Sequence, residues 1–132
     1  MPINNLPVPL STRRYVAQRA AYICEYCLAQ DEYSFIEFEV DHIISPKHGG
    51  SNDDDNLAYA CPDCNRNKGT DIASINWENR EIIRFFNPRT DIWAERFRLI
   101  TGFIEPLTII GKATVDIFRL NDKIRFPDRG IF

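Results

Sequence analysis

Residues 41–50 read DHIISPKHGG, and eleven residues further on 61–69 read CPDCNRNKG. A carboxylate stands directly before a histidine, a glycine-bearing loop follows, and an asparagine comes straight after a CxxC. Neighbouring residues on a strand point to opposite faces, so Asp41 and His42 suit different tasks. The carboxylate can hold a cation while the imidazole beside it stays metal-free and takes a proton from water. Imidazole, with a reference pKa of about 6.5, suits that role at neutral pH. Oxygen donors such as Asp41 and Asn65 favour hard ions like Mg²⁺ or Mn²⁺, and a two-residue set leaves positions for water and phosphate oxygens.

The four cysteines form two turns, CEYC at Cys24 and Cys27 and CPDC at Cys61 and Cys64, separated by 33 residues. Each CxxC aims two thiolates at one spot, and a tetrahedral structural zinc takes four. A redox CxxC needs a strand-to-helix junction of a βαβ unit and has no use for a second pair. The spacing therefore points to one structural zinc held by Cys24, Cys27, Cys61 and Cys64.

A chain of 132 residues, 44% of them hydrophobic, is long enough for one soluble folded domain, expected over 1–132 with a core near 20–70 and an extension over 71–132. It has no apolar run of membrane-span length and its start lacks the order of a secretory signal, so the expectation is a cytoplasmic protein without a membrane partner. The net charge of −3 argues against a protein that holds nucleic acid by bulk electrostatics alone. Residues 1–70 carry 6 Lys or Arg against 10 Asp or Glu, and residues 71–132 carry 10 against 9, so basic groups lean to the C-terminal half.

Three prolines make the first ten residues an extended arm. Ser11 suits the N-cap of a helix over about 12–22 that delivers Cys24, with Val16, Ala20 and Ile23 on one face. FIEFEV alternates over 35–40 and predicts a half-buried strand ending at Asp41 and His42. A polar loop spans 45–56, LAYAC returns as a short extended segment, and NRNKGT predicts a helical turn after the second knuckle. Further on, WENREIIRFF reads as a helix capped by Asn76 and stopped at Asn87-Pro88. Residues 92–100 and 103–107 suit a hairpin turning near Thr101-Gly102, and GKATVDIFRLN suits a helix.

DHIISPKHGGSNDDDN followed by CPDCNRNK resembles the HNH nuclease family, the ββα-metal or His-Me finger group, in its zinc-bearing form with paired CxxC knuckles. His42 lies 14 residues before Asn56 and Asn56 lies 9 before Asn65, similar to the His, Asn, then His-or-Asn order of that family. The resemblance covers about residues 20–70, and FNPRTDIWAERF with the later GKATVDIFRLN is similar to a tail on some bacterial HNH proteins. It implies an α+β fold: a ββα-metal core with a four-cysteine zinc site, an N-terminal helix, and a C-terminal hairpin plus helix. It also implies a metal-dependent endonuclease acting on nucleic acid, foremost DNA. Asp41 and Asn65 would hold the catalytic Mg²⁺ or Mn²⁺, His42 would be the general base, and Asn56 would fix the loop around it. Where some members have a third-position histidine this chain has Asn65. Arg66 and Lys68 would hold neighbouring phosphates.

Each of these residues also has a plainer reading. A histidine such as His42 is usually hydrogen-bonded and inert, Asn56 could cap a turn, and His48 and Asp53 to Asp55 suit a solvated loop. Arg80, Arg84, Arg96 and Arg98 could track DNA or simply cover an exposed face. Two further functions share the same features: a non-catalytic zinc-knuckle nucleic-acid binder, which needs only the cysteines, and an RNase on the same fold. A zinc deaminase needs H-x-E, and His42 is followed by Ile43 and Ile44.

Overall fold

The structure is a computed structural model and describes residues 7–130. Most of the proline-rich arm, residues 1–6, lies outside the described residues. Helix α1 (Leu10–Arg19) begins earlier than its sequence signal, with Pro9 as N-cap and no side-chain cap, so Ser11 lies inside the helix. Its apolar face is narrow: Val16 is fully buried and Ala17 and Ala20 pack beside it on the core. Ile23 falls beyond the helix, where it bridges to Gln30 across the first knuckle.

Strands β1 (Glu39–His42) and β2 (Leu57–Ala60) form an antiparallel hairpin in which Asp41 faces Ala58 and His42 faces Leu57. The strand starts later than the alternation of 35–40 implies. Its partner must stop at Ala60, because Cys61 turns away to cap α2 (Pro62–Lys68). Phe35 and Ile36 consequently stay outside the ladder and exposed, in a bend closed by the Ser34 hydroxyl donating to the Ile36 carbonyl at 2.7 Å. Pro62 opens α2, where a missing N–H costs nothing. The helix then packs back on β1. Two strands and a helix thus enclose the Asp41-His42 pair.

The second half departs from expectation at two elements, residues 73–84 and the start of the 92–100 strand, where Trp93–Arg96 is helical. Residues 73–84 are a hairpin, β3 (Ala73–Asn76) and β4 (Glu81–Arg84), not a helix. Asn76 does supply the hydrogen bond of a capping residue, its Oδ1 accepting from Glu78 N at 3.1 Å. Here that bond starts a turn, which Arg80 completes with a φ of 61° and an N–H donated to the Asn76 carbonyl. A short helix α3 (Trp93–Arg96) precedes the expected hairpin, β5 (Phe97–Ile100) and β6 (Phe103–Pro106). Helix α4 (Ile109–Phe118) covers β3, β4 and β6 and also touches α2. It approaches α3 so closely that a Cβ on Gly111 would lie 2.3 Å from the Arg96 carbonyl.

Between the halves lies an aromatic core. Tyr26 meets Phe118 at 5.0 Å between ring centroids, Phe85 meets Phe118 at 5.1 Å, and Phe86 meets Phe97 at 5.3 Å. Polar links reinforce it: Asn67 of α2 donates to the Phe118 carbonyl at 2.9 Å, and Trp93 Nε1 donates to the Tyr26 carbonyl at 3.0 Å. The C-terminal half therefore sets the position of Tyr26, a residue of the first knuckle. Among the described residues no helix is long and apolar enough to cross a membrane.

Candidate active site

His42 closes β1 and reaches into the loop that follows. Its Nε2 lies 2.7 Å from Asn52 Oδ1. A carbonyl oxygen only accepts, so Nε2 is the donor in this contact and Nδ1 is the ring nitrogen left outside it. Asn52 belongs to GGSNDDDN and was not among the residues singled out by sequence reasoning. The signal available was a polar side chain in a glycine-opened loop beside the histidine.

Asn56 holds that loop. Its Oδ1 accepts from Ile44 N at 2.9 Å, and its Nδ2 donates to the Ile44 carbonyl at 2.9 Å and the Ser51 carbonyl at 2.8 Å. One amide thus ties the exit of β1 to the far side of the loop. Gly50 makes the closure sterically feasible. A Cβ there would sit 1.6 Å from the Ile44 carbonyl oxygen and 2.9 Å from Asn56 Nδ2. His48 is exposed in the same loop.

Asp41 points the other way and is buried, 4% exposed. Its Oδ2 accepts from the Tyr26 hydroxyl at 2.7 Å and its Oδ1 accepts from Lys68 Nζ at 3.2 Å, while Lys68 also donates to the His42 carbonyl at 2.8 Å. Burial pushes the carboxyl's pKa up, and the Lys68 ammonium and Tyr26 hydroxyl pull against it. The same burial, with Asp41 beside it, drives the Tyr26 phenol well above its ordinary value. Each carboxylate oxygen has two lone-pair positions, so one on each remains for a further ligand. Asn65 is partly exposed on α2, one turn before Lys68, and its amide makes no hydrogen bond among the described residues.

Lys68 needs correction as a phosphate contact. At 3% exposed it is an internal counter-charge for Asp41, because the last turn of α2 turns its side chain onto β1. Arg66 points outward, 71% exposed, and its guanidinium is held at 2.7 Å by Asp63.

The four cysteines are all buried, with their sulfurs within 4.8 Å of one another. Around a tetrahedral zinc with bonds of about 2.3 Å the sulfurs would stand about 3.8 Å apart, so the cluster fits a structural zinc. Knuckle amides already face the sulfurs: Ala29 N donates to Cys27 Sγ and Cys64 N to Cys61 Sγ, both at 3.4 Å. A contact that the sequence did not signal comes from much further along the chain. Arg125 Nη2 lies 2.9 Å from Cys64 Sγ and 3.4 Å from Cys61 Sγ. Arg129, also buried, donates through Nε to the Cys27 carbonyl at 2.7 Å and through Nη1 to the Gly102 carbonyl at 2.7 Å.

A hairpin presenting a histidine, closed by a helix and braced by paired cysteine knuckles, is the architecture of the ββα-metal class. Within that class, the family model described as HNH endonuclease matches residues 24–71. No curated protein and no solved structure matches the chain.

Proposed function

We propose that the chain is a metal-dependent HNH endonuclease that hydrolyses phosphodiester bonds in DNA, its HNH core at about 20–70 acting as one domain with the extension over 71–132. The observation that carries this reading is the hydrogen bond from His42 Nε2 to Asn52, which orients the ring and reserves Nδ1. His42 is the general base, taking a proton at Nδ1 from the attacking water. Asn56 holds the loop that positions it. Asp41 and Asn65 would hold Mg²⁺ or Mn²⁺, and such a cation, when bound, supplies the counter-charge for the phosphorane-like state. Lys68 and Tyr26 align the Asp41 carboxylate and oppose the rise in its pKa that burial causes. The four-cysteine zinc braces the hairpin and helix and takes no part in the chemistry.

A non-catalytic zinc-knuckle binder would have no use for an oriented His42 beside a buried carboxylate. An RNase on the same fold is tested by the same experiment with a second substrate. Plasmid DNA, single-stranded DNA and RNA are offered to the parent, His42→Ala and Asp41→Asn, with and without Mg²⁺. Asparagine is the better replacement at 41 because alanine would also strip Lys68 of its partner. His42→Ala should lose about 10² to 10⁴ in rate yet keep its catalytic-metal affinity, whereas Asp41→Asn should lose both. Near-parental cleavage by His42→Ala, or metal loss there with retention in Asp41→Asn, would overturn the assignment.

A further inference from the structure

The sequence places most of the basic groups in the C-terminal half, but the structure sets most of them against carboxylates. Arg84 and Arg96 share Asp91, Arg98 pairs with Glu105, Lys112 with Asp116, and Arg119 with Asp122. Arg66 is held by Asp63. Among the described residues, the exposed or partly exposed Lys and Arg without a carboxylate within 4 Å are Arg13, Arg14, Arg19, Lys47, Arg80 and Lys123. Four of these six precede residue 50.

Three belong to α1. The first acidic residue of the chain is Glu25, so α1 carries no acid at all. Arg14 faces solvent opposite the buried Val16 and makes no hydrogen bond or ion pair among the described residues. Arg13 is exposed and gives only its Nε, to the Val8 carbonyl at 3.2 Å. Arg19 anchors the helix to the site. It donates to the Leu57 carbonyl at 2.6 Å and the Asp54 carbonyl at 2.9 Å. Leu57 is the register partner of His42, and Asp54 lies in the loop that carries Asn52. Lys47, in that loop's first turn, adds a fourth unneutralised charge five residues beyond His42.

We infer that α1 is the element through which the chain grips the phosphate backbone of duplex DNA, with Arg13 and Arg14 as phosphate contacts and Arg19 coupling the helix to the histidine loop. This rests on the nuclease reading above. Arginines set the register of a duplex by charge and forked hydrogen bonds without reading its sequence. In a chain of net charge −3 such contacts must be local, and α1 is where positive charge is uncompensated.

The test uses the full zinc-loaded chain carrying His42→Ala, so that the DNA survives, and a mixed-sequence duplex titrated over a range of salt. Arg14→Ala should lower the slope of log affinity against log salt by about 0.9, and the Arg13→Ala, Arg14→Ala pair by about 1.8. Arg98→Ala, whose guanidinium is already paired, should leave it unchanged. Alanine is a strong helix former, so α1 should persist in these variants. With His42 restored, the double variant should raise KM several-fold and keep kcat. A slope unmoved by the double variant, or moved equally by Arg98→Ala, overturns the inference. Salt-insensitive α1 variants in an enzyme that still needs His42 would sink α1 and leave the nuclease standing. A falling slope in a protein that never cleaves would sink the nuclease reading and keep α1 as the DNA-binding element.

Discussion

Asp41 and Lys68 bury opposite charges against each other within one hydrogen-bonded set, and neither can be removed alone without stranding its partner. Lys68→Met should lower stability by about 3 to 5 kcal/mol, measured by urea unfolding, where an exposed lysine would change it by about 0.5 kcal/mol or less. A second test at this scale concerns the proton. Asn52→Asp would set a carboxylate against the Nε2–H of His42, favouring the charged ring. The acid limb of the cleavage profile should then move to higher pH, and Asn52→Leu should lower kcat with KM little changed. An acid limb that stays in place in Asn52→Asp would show that the contact does not orient the base. Spacing within 30 residues made Asp41, His42, Asn56 and Asn65 visible in the sequence. The partners of Asp41 were hidden, because Tyr26 and Lys68 reach it from 15 residues before and 27 after, and only the packing of α2 on β1 defines the meeting point.

The loop from 43 to 56 folds onto itself as one unit, and Gly50 is the residue that lets its two sides touch. Gly50→Ala should cost cleavage on the scale of a lost general base, about 10² or more, while zinc content and secondary structure stay at parental levels. Elsewhere Asp91 joins β4 to α3, accepting from Arg84 at 2.7 Å, Asn87 N at 2.9 Å and Arg96 at 3.3 Å. The Arg84 hydrogen bonds hold its carboxyl well below the usual range, against the pull of burial. A depressed folded-state pKa stabilises above the unfolded value of about 3.9 and is lost as pH falls through the folded value. Asp91→Asn should therefore cost about 2 kcal/mol at neutral pH, with the gap closing only as the acid range below about pH 4 is entered. Urea midpoints across that range test the sign. Helices α1, α2 and α4 and the turn of the 97–106 hairpin were legible because their patterns are local, whereas α3 takes residues expected in the first strand of that hairpin. Residues 73–84 were misread because Asn76 begins a helix or a turn with the same hydrogen bond, and the choice is made by α4, which covers both strands from some thirty residues downstream.

At the scale of the molecule, the cysteine cluster and the C-terminal segment form a single electrostatic unit. Four thiolates around a Zn²⁺ would carry a net charge of −2, and two buried guanidiniums, Arg125 and Arg129, stand against them; among the described residues no carboxylate comes closer to either than the 3.9 Å of Asp63 from Arg125. Loss of a residue that supports metal ligands commonly costs 10- to 100-fold in affinity. Arg125→Met should accordingly release zinc to a chromophoric chelator about tenfold faster, a readout independent of cleavage. Cys64→Ser should leave a poorly folded chain. Chain growth on the ribosome gives this pairing a temporal dimension. Cys64 is made 61 residues before Arg125, which at about 5 to 20 residues per second is an interval of about 3 to 12 s. A nascent chain that has exposed both knuckles before Arg125 follows them has four thiols for a metal and no guanidinium beside them. The HNH core can thus be metallated early, while its full retention of zinc, and the seating of Tyr26 against Asp41, must wait for sequence that lies outside the core altogether.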